Sequence, residues 1–184
     1  IYPVYNLISS QEDLSSLFRS FLNLKDLFDT NKTKQGENGM KITNGLVFRN
    51  GGFEKEDVSI ADGYFAAEAE GNAELNAEGC YVIPGLIDIH FHGCAGVDFC
   101  DGTVEAMRHM AEYELKNGVT SIHPATMTLS EEELLKISRA AKQFHEEQTA
   151  DENLLTKEAE LVGIYMEGPF ISMEKKGAQN PLYV

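Results

Sequence analysis

The sequence predicts an α/β protein in which a small antiparallel β module precedes a parallel β-sheet covered by helices. Over residues 40–81, short strand signals alternate with the turn dipeptides Asn-Gly and Asp-Gly, a pattern typical of tight hairpins. From residue 82 onward, apolar strands alternate with helices, which indicates a parallel sheet. We therefore divide the chain into residues 1–39, 40–81 and 82–184.

Composition limits the partners that such a protein can have. The 184 residues include 30 acidic and 15 basic side chains, for a formal net charge of −15. A surface this acidic repels phosphate backbones and anionic lipid, so we expect neither nucleic acid nor membrane partners. Three irregularly spaced cysteines do not form a disulfide framework, and the first residues lack the pattern of a signal peptide. A cytoplasmic location is expected.

Residues 1–39 differ from the rest of the chain, and two interpretations of them are open. They end in a polar, Gly-containing stretch directly before Met40. Codons for residues 35–37 can contain a purine-rich ribosome-binding sequence, so this segment could be translated upstream DNA with Met40 as the true start. Alternatively, the apolar residues at roughly helical spacing predict a native amphipathic helix: Leu14, Leu17, Phe18, Phe21, Leu22 and Leu24.

Start and stop signals define the elements of the alternating region. Ser130 and Glu133 have the spacing of a capping box, so a helix is expected to begin there. Gly118 is expected to end the helix before it. The predicted elements are strands at 82–92, 119–124 and 161–167 and helices at 103–117 and 130–148.

The first of these strands carries the strongest chemical signal, the run PGLIDIHFHG over residues 84–93. Alternation along a strand places Asp88, His90 and His92 on one face and leaves Ile87 and its apolar neighbours to pack against helices. Two imidazoles at the carboxyl end of a strand can bind one metal ion. Buried structural histidines are the alternative. Asp88 on the same face makes this alternative less favourable, because burying an aspartate and two histidines in an apolar core costs desolvation energy.

The third predicted strand adds a carboxylate to the same end of the sheet. It runs GIYMEGPF over residues 163–170, and strand alternation directs Tyr165 and Glu167 inward. Glu167 could therefore complete a site begun by His90 and His92. The alternative is an ordinary strand-end glutamate, which would be preferred if Glu167 stood alone.

Three further residues near these strand ends are weaker candidates. Cys94 and Cys100 flank the loop after His92, and a thiolate there could be a soft metal ligand. Simple packing is the preferred interpretation of both cysteines. His123 lies at the end of the second strand and could face the site, although a structural role is preferred for it.

These motifs together resemble a known family. PGLIDIHFHG resembles the first-strand motif of the amidohydrolase superfamily. The pairing of EGPF at 167–170 with KGAQNP at 176–181 more narrowly resembles the N-acetylglucosamine-6-phosphate deacetylases. This resemblance implies an incomplete (β/α)8 TIM-type barrel with its first three strands, preceded by part of a small antiparallel β-sandwich module. It also implies conversion of N-acetylglucosamine 6-phosphate to glucosamine 6-phosphate and acetate, by a protein that is a homodimer when full length.

The resemblance also implies roles for individual residues. His90, His92 and Glu167 match metal ligands, for one or two divalent ions of Zn or Fe. Ala178 and Gln179 match a short loop that contacts the sugar substrate, although many members have His where this chain has Gln179. The family's catalytic Asp and two later histidine ligands have no counterpart here. We therefore assign no catalytic acid or base, and we predict that the 184-residue chain alone is inactive.

Two alternatives to this function remain open. Dihydroorotases, allantoinases and deaminases share the first-strand motif, but many of them use a modified lysine where this chain has Glu167. A non-catalytic remnant that only binds metal is the second alternative.

Overall fold

A computed structural model describes residues 5–9, 39–61, 64–68 and 73–184. The chain forms two compact units, Ile1–Gly85 and Leu86–Val184. The amphipathic helix predicted between residues 14 and 24 lies outside the described residues. Among the described helices, none is long and apolar enough to cross a membrane.

The described part of the first unit consists of β-strands arranged in two four-stranded sheets. In chain order, these strands are β1 (Tyr5–Ser9), β2 (Gly39–Thr43), β3 (Leu46–Arg49), β4 (Gly52–Lys55), β5 (Val58–Ala61), β6 (Tyr64–Ala66), β7 (Ala73–Asn76) and β8 (Cys80–Pro84). One sheet has the order β1-β8-β3-β4 and the other the order β6-β5-β2-β7.

The pairing within these sheets is mixed, which corrects the wholly antiparallel module that the sequence predicts. Strands β2 and β7 run parallel, as do β3 and β8, whereas the other described pairs are antiparallel. Local hairpin signals could not show this, because the partners in each parallel pair are separated by several intervening strands. Side chains from both sheets form one apolar core: Met40, Ile42, Val47, Val58, Ile60, Ala77 and Val82.

The second unit is a parallel α/β arrangement, as predicted. The elements in chain order are β9 (Leu86–Phe91), β10 (Gly93–Cys94), β11 (Val97–Asp98), α1 (Val104–Lys116), β12 (Val119–Thr126), α2 (Glu131–Ala150), β13 (Glu160–Leu161) and β14 (Tyr165–Met166). Strand β12 is central, with β9 on one side and the short strands β13 and β14 on the other, and all these pairs are parallel. Short 3-10 helices cover Phe99–Asp101, Glu152–Thr156 and Pro181–Tyr183.

Both helices begin at the side-chain caps that the sequence contains. Thr103 accepts a hydrogen bond from the backbone N–H of Ala106 at the start of α1. Ser130 and Glu133 form the predicted capping box at the start of α2. Its hydrogen bonds hold the pKa of Glu133 below its usual range. The helices pack on the sheet through a core of buried residues: Phe99, Met107, Met110, Ala111, Leu115, Ile122, Ile137, Ala141, Phe144, Ala159 and Leu161.

The single strand predicted over residues 82–92 is wrong, because the chain changes sheets near the start of that segment. Strand β8 ends at Pro84 in the first unit, and β9 begins at Leu86 in the second. Proline has no backbone N–H with which to continue a ladder, so a change of partner at this point has a local cause.

The apolar face predicted for β9 is largely exposed, which is a second correction. Ile87 and Ile89 retain 62% and 68% of their accessible surface, and only Phe91 of that row packs on the core. Among the described strands, β9 pairs with β12 alone and forms the edge of the sheet. The helices lie chiefly over β12 and β13 and do not cover that edge.

The third predicted strand, 161–167, is also interrupted. Ile122 of β12 pairs with Leu161, and Ala125 pairs with Tyr165. Three residues, 162–164, therefore lie opposite two residues of β12. A Cβ at Gly163 would lie 2.7 Å from Cε1 of His123, so the ring of His123 occupies the space that a larger residue at this position would need.

Candidate metal centre

Strands β9 and β14 bring three potential metal ligands together at their carboxyl ends. Nε2 of His90 lies 3.4 Å from Oε2 of Glu167, and Nε2 of His92 lies 3.2 Å from the same oxygen. One ligand atom of each residue lies within 4.8 Å of the others. The predicted grouping of these three residues is therefore present in the fold.

The spacing of these atoms suits a single small cation. A tetrahedral ion with bonds of about 2.0–2.1 Å holds its ligand atoms roughly 3.4 Å apart. The two distances from Oε2 of Glu167, 3.4 and 3.2 Å, match that separation. The side chains of His90, His92 and Glu167 are 34–42% exposed, so the group opens to solvent on one side. A water or substrate atom could complete the coordination there.

The ring of His92 is oriented by the backbone of β12. Its Nδ1 lies 3.2 Å from the carbonyl oxygen of Ala125, which can only accept a hydrogen bond. Nδ1 therefore donates, and in the neutral ring Nε2 presents a lone pair towards the Glu167 carboxylate. With the ring in that form, two acceptors would face each other across this gap, and a cation between them would satisfy both. The contact thus selects the tautomer that a metal ligand requires.

Asp88 and Tyr165 both contact His90. Asp88 accepts a hydrogen bond from the backbone N–H of His90 at 3.0 Å. It does not belong to the group of potential ligands found among the described residues. The ring of Tyr165 meets the ring of His90 edge to face, with 4.6 Å between centroids. Asp88 therefore shapes the local backbone, and Tyr165 packs against the imidazole.

Glu167 is held at both its backbone and its side chain. Thr128 donates from Oγ1 to the carbonyl oxygen of Glu167 at 2.9 Å. Gln179 donates from Nε2 to Oε1 of the Glu167 carboxylate at 2.5 Å. Ala178, which precedes Gln179 in the loop, is exposed. No role for Thr128 is predicted from the sequence, because a threonine after a strand carries no signal of its own.

Comparison with known proteins places this geometry in context. No family model matches the chain. An N-acetylglucosamine-6-phosphate deacetylase from Lysinibacillus sphaericus is 34% identical over 146 residues, which are 76% of this chain and 35% of the relative. The deacetylase of the same name from Haemophilus influenzae is 35% identical over 123 residues, or 64% of this chain and 29% of the relative. The chain is similar to the N-terminal part of the N-acetylglucosamine-6-phosphate deacetylases.

Solved structures support the same deacetylase resemblance. The N-acetylglucosamine-6-phosphate deacetylase of Thermotoga maritima is 27% identical with a TM-score of 0.63, over 79% of this chain and 36% of that one. The enzyme from Pasteurella multocida has a TM-score of 0.66 over 79% of this chain and 38% of that one, and at 24% identity it supports the fold alone. The chain spans about a third of the length of the curated deacetylases it matches.

In this deacetylase-like chain, neither cysteine near the strand ends joins the ligand group. Burial raises the pKa of the Cys94 thiol to about 12 and also raises that of Cys100. The sulfur of Cys100 accepts from the backbone N–H of Met127 at 3.3 Å. With these raised pKa values, both thiols are neutral packing groups at pH 7. A neutral thiol is not expected to bind metal, because the thiolate is the form that does so.

We expect Cys94 to react slowly with iodoacetamide at pH 8. With a pKa near 12 in place of the usual value, its thiolate fraction falls by at least about 100-fold relative to the urea-unfolded chain. Mass spectrometry of timed, quenched samples would give the labelling rate of each cysteine. Equal rates for Cys94 in the folded and unfolded chain would contradict the burial argument.

Gly168, the residue after Glu167, lies against the side chain of Thr128. It has φ of +81°, and a Cβ there would lie far inside van der Waals contact with the Thr128 hydroxyl. We expect Gly168→Ala to lower the free energy of unfolding by more than about 2 kcal/mol, since it adds a clash to left-handed backbone strain. Urea denaturation monitored by circular dichroism would measure the loss.

Gly177→Ala is the matched control for that substitution. Gly177 also has a positive φ, +60°, but a Cβ there meets no described atom within 4 Å. The control is therefore expected to show the backbone cost alone, about 1 kcal/mol. Equal losses for the two variants would show that Thr128 does not restrict residue 168.

Proposed function

We propose that this chain is the N-terminal part of a metal-dependent amidohydrolase that deacetylates N-acetylglucosamine 6-phosphate to glucosamine 6-phosphate and acetate. The observation that supports this most directly is the grouping of His90, His92 and Glu167 at the ends of parallel strands, in a chain similar to these deacetylases. A solved relative from Mycobacterium smegmatis, with a TM-score of 0.60, is a complex with N-acetyl-D-glucosamine-6-phosphate.

The proposed fold of the complete protein is a (β/α)8 TIM-type barrel with a β-sandwich module. Strands β9 and β12, with β13 and β14 as an interrupted third strand, would be the first three of its eight. Active sites of such barrels lie at the carboxyl ends of the strands, where the proposed ligands are found. The two sheets of the first unit would be part of the β-sandwich module. We propose that the complete protein is a homodimer and that it is located in the cytoplasm.

In the proposed mechanism, a bound divalent cation, Zn or Fe, would lower the pKa of a water molecule and polarise the acetamide carbonyl. Residues next to the proposed ligands His92 and Glu167 hold them in position. The Ala125 carbonyl fixes the His92 ring, and Thr128 and Gln179 fix Glu167. Protonation of the leaving amine needs a general acid. The resemblance implies an Asp for this step, which a part of the protein beyond these 184 residues would supply. The same part would supply any further histidine ligands and the contacts to the substrate phosphate.

A hybrid enzyme would test this function. Residues 86–184 would replace the matching segment of the Lysinibacillus sphaericus deacetylase, and acetate release from N-acetylglucosamine 6-phosphate would be measured after loading with Zn²⁺ or Fe²⁺. We expect the hybrid to be active and its Glu167→Gln form to be inactive. The 184-residue chain alone is expected to release no acetate, and robust turnover by that chain would contradict this expectation.

Two further substrates make the hybrid assay decisive about specificity. An N-acetylgalactosamine-6-phosphate deacetylase from Escherichia coli O157:H7 is 31% identical over 74% of this chain, so the galactosamine compound is the first competitor to assay. Dihydroorotate tests the wider amidohydrolase alternative. A hybrid that binds Zn²⁺ and prefers either competitor over N-acetylglucosamine 6-phosphate would overturn the proposed substrate.

A further inference from the structure

Gln179 is an exception within an exposed loop. Its neighbours Ala178 and Asn180 are exposed, whereas Gln179 retains only 4% of its accessible surface. A buried primary amide needs partners for both its oxygen and its nitrogen. The loop therefore places this side chain where specific partners are available to it.

The two ends of the Gln179 amide connect two different parts of the site. Its Oε1 accepts a hydrogen bond from the backbone N–H of Thr128 at 2.8 Å, and its Nε2 donates to Oε1 of Glu167 at 2.5 Å. The orientation of the amide follows from these partners, because an N–H of Thr128 requires the oxygen and a carboxylate requires the nitrogen. Hydrogen bonds between Gln179 and the backbone and side chain of Lys176 fix the loop itself.

This arrangement divides the two oxygens of the Glu167 carboxylate between two tasks. Oε1 is held by Gln179, while Oε2 faces Nε2 of both His90 and His92. Without the hydrogen bond to Oε1, a carboxylate that is 36% exposed could turn away from the histidines or present both oxygens to a cation.

We infer that Gln179 is a positioning residue that holds Glu167 for binding of a divalent cation through Oε2. The inference rests on the proposed metal centre and adds to it a role distinct from the substrate contact that the sequence predicts for Gln179. Gln179 acts through Glu167, and its amide is held in place by the hydrogen bond from the backbone N–H of Thr128. Partners of metal ligands of this kind contribute about 10- to 100-fold to metal affinity.

The test compares Zn²⁺ affinity of the 184-residue chain with that of Gln179→Met, which keeps length and apolar bulk but has no amide. Competition with a chromogenic chelator would give the dissociation constants. We expect Gln179→Met to bind Zn²⁺ about 10- to 100-fold more weakly. Gln179→His restores an N–H donor and is expected to recover most of the loss. Asn180→Ala is the matched control in the same loop and is expected to change Zn²⁺ affinity less than about 3-fold.

Co²⁺ absorption separates positioning from a general packing role. Loss of the hydrogen bond to Glu167 is expected to alter the visible Co²⁺ spectrum of Gln179→Met, a change that poorer packing alone would not produce. Unchanged Zn²⁺ affinity and an unchanged Co²⁺ spectrum in a folded Gln179→Met variant would overturn the inference. If that variant does not fold, a folded Gln179→His variant that binds Zn²⁺ more than about 10-fold more weakly than the unsubstituted chain would overturn it.

The outcome for the unsubstituted chain distinguishes the inference from the proposal on which it rests. If that chain binds no Zn²⁺, the metal centre fails and the role of Gln179 fails with it. If it binds one Zn²⁺ and Gln179→Met binds equally well with the same Co²⁺ spectrum, only the positioning role fails.

Discussion

Glu167→Gln is expected to weaken Zn²⁺ binding by more than about 100-fold, an effect larger than that of removing a residue that only orients a ligand. The substitution keeps the shape of the side chain and removes the charge of the oxygen that lies 3.2–3.4 Å from both imidazoles. His90 and His92 would then be the remaining members of the group. Competition titration with a chromogenic chelator, together with metal analysis of the dialysed protein, would measure the change.

Glu174→Gln is a matched control because Glu174 is an exposed glutamate in the segment that follows Glu167. It removes the same charge from the chain and lies outside the ligand group. Its Zn²⁺ affinity is expected to remain within about 3-fold of the unsubstituted chain. Similar losses in the two variants would indicate a non-specific effect of net charge and would exclude Glu167 as a ligand.

Arg108→Met is expected to give the largest loss of stability, about 3–5 kcal/mol in the free energy of unfolding. Glu158 is only 2% exposed, and its carboxylate pairs with Arg108 at 2.5 Å. Arg108 also pairs with Glu147 at 2.7 Å and lies over the ring of Phe144. Without Arg108, the Glu158 carboxylate would remain buried with the Gln148 amide as its described hydrogen-bond partner.

The pH dependence of that loss has a definite sign. Burial raises the folded-state pKa of Glu158, and Arg108 opposes the rise. A raised pKa stabilises the fold below the unfolded pKa of about 4.3, and this stabilisation is lost as the pH rises through the folded value. Removing Arg108 raises the folded pKa further. The stability deficit of Arg108→Met should therefore be largest near pH 7 and shrink towards pH 4.

Urea denaturation at pH 7 and pH 4.5 would test both statements. Lys142→Met is the control, because Lys142 forms an exposed ion pair with Glu146 at 3.6 Å. Such a pair contributes less than about 0.5 kcal/mol. If Arg108→Met lost no more stability than Lys142→Met at pH 7, Arg108 would not be compensating the buried carboxylate.

The sequence predicted those features that depend on neighbouring residues. The capping box of Ser130 and Glu133 and the order of helices and parallel strands are present as expected. The grouping of His90, His92 and Glu167 was also predicted, because each is placed by the end of a strand. These results follow from local signals that the fold does not override.

The features that the sequence missed depend on contacts between distant residues. The parallel pairs in the first unit join strands that are far apart in the sequence, so no local pattern predicts them. The exposure of Ile87 and Ile89 follows from their place at the sheet edge. Likewise, the match of residues 176–181 to a family motif implied that Gln179 lies in a loop that contacts the substrate. It could not show that the Gln179 amide contacts Thr128 and Glu167.

The uneven pairing beside β12 has a consequence for how the chain tolerates insertions and deletions. Residues 162–164 stand opposite two residues of β12, and Glu167 follows shortly after them. Because residues 162–164 form a bulge, removing one of them would leave a regular ladder in which Tyr165 still pairs with Ala125 and the Glu167 carboxylate keeps its face of the sheet. Gly163 contributes no chemistry of its own, and in the bulge it leaves room for the ring of His123. A one-residue gap at this point in an alignment of related sequences is therefore expected to be compatible with an intact metal centre where all three ligands are retained.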